Sequence, residues 1–116
     1  MAAILVVDPD IKALAAMGRL FKNLGATVYL STNAEYATRV LHRDLPRVIL
    51  CELDLPGISG FEFLRQAKES HPATYGILHT AATDLPRAFG ADIPVLAKPC
   101  PEHELQMLVA ILIRED

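Results

Sequence analysis

Asp8, Glu52, Asp54, Thr80 and Lys98 carry the groups from which a polar site can be assembled: carboxylates, a hydroxyl and an ammonium. Their spacing adds information, because each stands just past the end of a short apolar run. Gathered at one edge, they would form a small pocket with two or more carboxylates around one cation. Carboxylates held close repel unless a cation stands between them, and a lysine near a buried sheet end needs a carboxylate partner. Singly, each residue has a plainer reading. Asp8 would be a helix-entry residue, Glu52 a solvated loop acid, Asp54 a turn residue lending its backbone carbonyl, and Thr80 an ordinary strand-end threonine.

The elements that would bring them together are legible as alternating periods. Ala3–Val7, 26–30, 47–51, 74–79 and 94–97 are apolar and of strand length. Between them run helical patterns. Asp10 is a plausible N-cap before Leu14, Met17, Phe21 and Leu24, and Gly25 stands where a helix-terminating glycine belongs. Thr32-Asn33-Ala34-Glu35 and Ser59-Gly60-Phe61-Glu62 read as capping boxes. The first opens a helix burying Ala37, Val40 and Leu41, with Pro46 at its exit; the second opens one with Phe61, Leu64 and Ala67 inward. Pro101 fits the first position of a last helix, with Glu102 and Glu104 in its first turn. Strands apolar on both faces imply a parallel sheet covered by helices on both sides. The expected fold is an α/β doubly wound five-stranded parallel sheet. In such sheets the site lies at the carboxyl ends of the strands, where the winding reverses.

Only 81–93 separate Thr80 from Pro94, and they include Pro86 and Gly90. That leaves room for one or two turns of a shortened fourth helix around Leu85–Phe89.

The 116 residues suit one domain spanning 1–116, with further domains in a longer chain an open expectation. A hydrophobic content of 52% argues against disorder. A net charge of -3 with mixed signs argues against a nucleic-acid surface on this domain. The longest apolar run, 107–113, is too short to span a bilayer, and no basic leader precedes Ile4. A cytoplasmic protein is expected. Cys51 and Cys100 read as reduced packing thiols. His42, His71, His79 and His103 are scattered, and none reads as a phosphodonor or metal ligand. The 107–113 run is apolar on nearly every helical face, more than one core-facing stripe requires. A homodimer or a linked domain would account for the excess.

In this order, each at its strand end, the residues resemble the receiver domains of two-component response regulators, over the whole chain. Asp8 matches the first acid of the family's acidic pair, Thr80-Ala81 the hydroxyl position that contacts the phosphoryl group, and Lys98-Pro99 the family's lysine with its proline. Pro56-Gly57 and Gly60 match the loop after the phosphoacceptor. The resemblance implies signalling by contact with other proteins or a linked effector domain, and no enzymatic activity beyond self-phosphorylation.

Three positions depart from the pattern. The phosphoacceptor position, four residues before Pro56, holds Glu52 rather than aspartate. The second pocket acid, a direct metal ligand in the family, is replaced by Pro9. The aromatic switch position, three residues before the lysine, holds Val95. Losing one ligand carboxylate leaves Asp8 with a weak or absent Mg²⁺ site, and no other cofactor is expected. Glu52 carries its carboxylate roughly 1.5 Å further out than an aspartate would. That misplaces a nucleophile for in-line attack and moves negative charge towards the place of a phosphoryl oxygen.

The leading expectation is therefore an atypical, phosphorylation-independent receiver acting by protein contact. The second is a phosphorylatable receiver using Asp54 as a displaced acceptor, with Asp8 and Asp10 holding Mg²⁺. The third, a flavodoxin-like cofactor binder, needs a Ser/Thr/Gly-rich phosphate loop after the first strand, where Asp8-Pro9-Asp10-Ile11 is acidic instead.

Overall fold

A computed structural model describes residues 2–83, 85 and 93–114. The elements run β1 (Ala3–Val7), α1 (Ile11–Phe21), β2 (Thr27–Ser31), α2 (Ala34–Asp44), β3 (Val48–Cys51), α3 (Gly60–Ser70), β4 (Tyr75–Thr80), β5 (Val95–Ala97) and α4 (Glu102–Arg114). All strand pairings are parallel, in the order β2-β1-β3-β4-β5. The winding reverses between β1 and β3, which places the switch point where those two strands end. This is the α/β architecture expected from the alternation of periods. The shortened helix expected around 85–89 lies outside the described residues, apart from Leu85, which is neither helix nor strand.

The two-residue period of the strands divides the core into two layers. Leu5, Val7, Ile49, Cys51 and Leu78 face α2 and α3, where they meet Ala37, Val40, Leu41, Phe63, Leu64 and Ala67. Ile4, Val6, Val48, Leu50 and Ile77 face α1 and α4, against Leu14, Met17, Phe21, Leu105, Val109 and Ile113. Phe21 is fully buried, so Phe21→Ala would cost about 3–5 kcal/mol in lost contact and cavity.

Local chemistry sets the helix starts. Asp10 caps α1, its side chain accepting from Lys12 N (2.9 Å) and Ala13 N (3.4 Å). Ser59 caps α3, accepting from Glu62 N at 3.1 Å. Three expectations need correction. The cap of α2 is Asn33 rather than Thr32, accepting from Tyr36 N at 2.8 Å, because the Ser31 hydroxyl accepts from Asn33 N and shifts the turn by one residue. Pro101 stands one position before α4, where its carbonyl accepts from Glu104 and Leu105. On α3 the fully buried aromatic is Phe63; Phe61 packs on the core from its edge.

Candidate functional site

Backbone hydrogen bonds carry the sheet one residue beyond its strands and fix the site residues. Asp8 N donates to Ser31 O, Glu52 N to Val7 O and Lys98 N to Thr80 O, each at 2.9 Å. Three side chains from three strand ends are thus held on rigid backbone, with Thr80 as the last residue of β4. The loop after Glu52 is closed by Gly60 N donating to Leu53 O at 2.7 Å. Glycine is required at 60, because a Cβ there would overlap the Glu52 carbonyl oxygen.

Lys98 Nζ lies 2.7 Å from Asp8 Oδ2 and 2.9 Å from Glu52 Oε1. The other oxygen of Asp8 accepts from Asp10 N at 2.9 Å. The other oxygen of Glu52 accepts from Leu53 N and Asp54 N. Thr80 lies at the same strand edge, where its hydroxyl accepts from Ala82 N at 3.2 Å and helps to lower the pKa of Glu52. Asp8 is buried, and the side chains of Glu52 and Lys98 are 13% and 22% exposed, so the ion pairs are shielded from water but not sealed.

Electrostatics follow from that geometry. Burial alone would push Glu52 up, but hydrogen bonds from Thr80 and Lys98, the Lys98 charge and the Asp54 N–H outweigh it and hold Glu52 below its ordinary 4.5. Burial alone would lower Lys98, but its two carboxylate partners raise it above 10.5. Burial, with the Glu52 and Asp8 charges, pushes the Cys51 thiol far up, so it is inert. At neutral pH the cluster is two carboxylates bridged by one ammonium.

The geometry brings together Asp8, Glu52, Thr80 and Lys98, as the sequence led us to expect. Asp54 stays outside: it is exposed, and it contributes its backbone N–H to Glu52. Asp10 is committed to its cap. Among the described residues, no group of three or more His, Cys, Asp or Glu side chains converges to hold a metal ion.

Residues 4–110 match the family profile described as the response regulator receiver domain. The chain belongs to that family. It is a receiver domain of the two-component response regulators. The DNA-binding transcriptional regulator NtrC of Escherichia coli (strain K12) is 31% identical over 86 residues, which cover 74% of this chain. The hydrogenase transcriptional regulatory protein HoxA of Cupriavidus necator is 32% identical over 83 residues, covering 72% of this chain. The matches take up only 18% and 17% of those two proteins. Among solved structures, the BeF3-activated DrrB receiver domain superposes with a TM-score of 0.86 at 27% identity, covering 99% of both chains. A CheY-like receiver domain from Methanospirillum hungatei JF-1, 22% identical, gives a TM-score of 0.86 over 94% of this chain and 90% of its own. Receivers are in general signalling modules that work through contacts with other proteins or with linked effector domains. No described helix of this one is long and apolar enough to cross a membrane.

Two features of this receiver escaped sequence reasoning. His79 is buried on the α1 and α4 side of the sheet, and neither ring nitrogen has a hydrogen-bond partner among the described residues. His42 and His71, 29 residues apart, meet with Nδ1 and Nε2 at 2.8 Å. The two-residue period of β4 signals that His79 faces Ile77's layer. No sequence pattern signals the His42–His71 meeting, which depends on how α2 and α3 pack.

Proposed function

We propose that this receiver works without phosphorylation, with Glu52 as a built-in, partial stand-in for the phosphorylated acceptor. The observation that carries this is the 2.9 Å bridge from Glu52 to Lys98, with Thr80 at the same strand edge. A phosphorylated acceptor would make the same contact to the family's lysine position, beside its hydroxyl position. Glu52 supplies one negative charge where a phosphoryl group carries about -1.5 to -2, so the mimicry is incomplete.

The same arrangement does not fit Mg²⁺. Asp8 has one oxygen on a backbone N–H and the other on Lys98, so a metal there would compete with the ammonium for its charge. Position 9 is a proline, and the Asp10 carboxylate is engaged at the α1 N-terminus. The reading with Asp54 as acceptor loses support because Asp54 is exposed and the ion pairs of Lys98 go to Asp8 and Glu52. The domain acts by protein contact, as a non-enzymatic module of a cytoplasmic signalling pathway. Its partner surface includes α4, where Met107 and Ile111 are 60% and 57% exposed while Leu105, Val109 and Ile113 are buried, and a second copy or a linked domain would cover them.

Titration with Mg²⁺ followed by backbone amide NMR tests this reading. Unmoved resonances for Asp8, Asp10, Glu52 and Leu53 at millimolar Mg²⁺ are expected. Saturable shifts at those four residues would show a working metal site and refute it.

A further inference from the structure

We propose that His42 and His71 form a surface site for a divalent transition-metal ion, independent of the Asp8–Glu52–Lys98 pocket. The two imidazoles belong to elements that fix their backbones. His42 lies in the last turn of α2, which ends with Leu45 N donating to Leu41 O at 3.1 Å. His71 is the C-cap of α3: its N–H donates to Ala67 O at 2.8 Å and its carbonyl accepts from Thr74 N at 3.0 Å. From these positions the rings meet with centroids 5.0 Å apart, planes inclined by 55° and Nδ1 of His42 2.8 Å from Nε2 of His71.

At that distance one nitrogen carries a proton and the other a lone pair. Two imidazole nitrogens bound to one ion at about 2.0–2.1 Å and at right angles stand about 3 Å apart. The observed 2.8 Å needs to open by only a few tenths of an ångström. The shared proton moves to the far nitrogen of its own ring, so both lone pairs can turn to the ion with no net loss of a proton.

A second, separate observation favours a cation. The carboxyl ends of two helices, α2 and α3, converge here, and each presents the negative end of its dipole. His71 also borders an open cleft with Leu45, Pro46 and Ser70, and His42 is exposed, so the pair is open to solvent. Imidazole ligands in a near-right-angle arrangement suit Cu²⁺ first, then Ni²⁺ and Zn²⁺, and exclude Mg²⁺ and Ca²⁺, which prefer oxygen. An ion here would clamp the end of α2 to the end of α3, at the edge of the sheet opposite the Glu52 pocket.

The test uses the full chain, free of any histidine tag, titrated with Cu²⁺ by calorimetry and by electron paramagnetic resonance. Chains carrying H42A, H71Q, both changes, or H103A as an exposed control are titrated alongside. The wild type is expected to bind one more equivalent of Cu²⁺ than the double variant, with nitrogen hyperfine structure from two imidazoles. Each single variant should bind that equivalent more than about tenfold more weakly, since even loss of an outer-shell partner costs that much. H103A should match the wild type. If H71Q unfolds by circular dichroism, H42A decides alone, because His42 is exposed at a helix end. Binding that survives in the double variant, or a wild type with no equivalent beyond it, overturns the proposal.

Discussion

The ammonium of Lys98 stands 2.9 Å from Glu52 Oε1, across 46 residues of chain. It also holds Asp8 at 2.7 Å, so one cation joins the ends of β1, β3 and β5. Removing one member leaves the others facing each other in a shielded place. Lys98→Ala leaves two carboxylates unbridged, and Glu52→Gln leaves the ammonium one anion short. A fully buried pair broken this way costs about 3–5 kcal/mol; with these side chains partly exposed, about 1–3 kcal/mol is expected for Lys98→Ala and less for Glu52→Gln. Urea unfolding at neutral pH measures both.

The pH dependence has two arms. Glu52 is held below 4.5, so its contribution is full above that pH and is lost as pH falls through its lower folded value. Lys98 is held above 10.5, so its contribution is full below that pH and is lost as pH rises through its higher folded value. Unfolding free energies measured from pH 3 to 12 should therefore lose an acid arm in Glu52→Gln and an alkaline arm in Lys98→Ala.

His79 adds a separate acid-side loss. Burial, then the Lys98 charge, hold its pKa below the ordinary 6.5, so the unfolded chain takes up a proton first as pH falls. Stability should decline below about pH 6.5 and level off below the folded value. His79→Leu should remove that slope. It should also raise stability at neutral pH by about 1 kcal/mol, because two buried nitrogens without a partner among the described residues are no longer present. Urea midpoints at several pH values between 5 and 8 read both effects.

Gly60 and Gly57 should respond differently to alanine. At Gly60 a Cβ meets the Glu52 backbone and lies 3.1 Å from Cys51 Sγ, so Gly60→Ala must shift the segment that carries Glu52. A loss of about 1–3 kcal/mol is expected. At Gly57 the space is open and only the positive φ of 88° opposes a side chain, so Gly57→Ala should cost about 1 kcal/mol. Thermal unfolding ranks the two.

Much of this was legible in the sequence, and the reasons are specific. Ile4 to Val7 and Val48 to Cys51 are apolar on both faces and alternate with helical patterns, which together point to a covered parallel sheet. That fold sends Asp8, Glu52, Thr80 and Lys98 to one edge. Asp10 and Ser59 announced the starts of α1 and α3 by side-chain type. The cap of α2 was misplaced by one residue because Thr32 and Asn33 are both good caps, and the choice rests on the Ser31 hydroxyl. Phe63 was overlooked beside Phe61 because a helix's spacing does not decide which of two nearby aromatics turns fully inward. The clustering of His42 with His71 and the isolation of His79 arise from packing between elements, which local periodicity does not encode.

If Pro9 and Glu52 are together what closes the pocket to phosphorylation, reversing both should open it. Glu52→Asp alone should label poorly with a small phosphodonor, since the second pocket acid is still missing. Pro9→Asp with Glu52→Asp should label at least about tenfold more. Equal labelling of the two would show that Pro9 is no obstacle.

The most direct measurement is exposure of the unaltered chain to acetyl phosphate and Mg²⁺, read by intact-protein mass beside an ordinary receiver. The account predicts no added phosphoryl mass under conditions that label the control. A labelled chain would contradict it, and loss of that label in Asp54→Ala would assign the chemistry to Asp54.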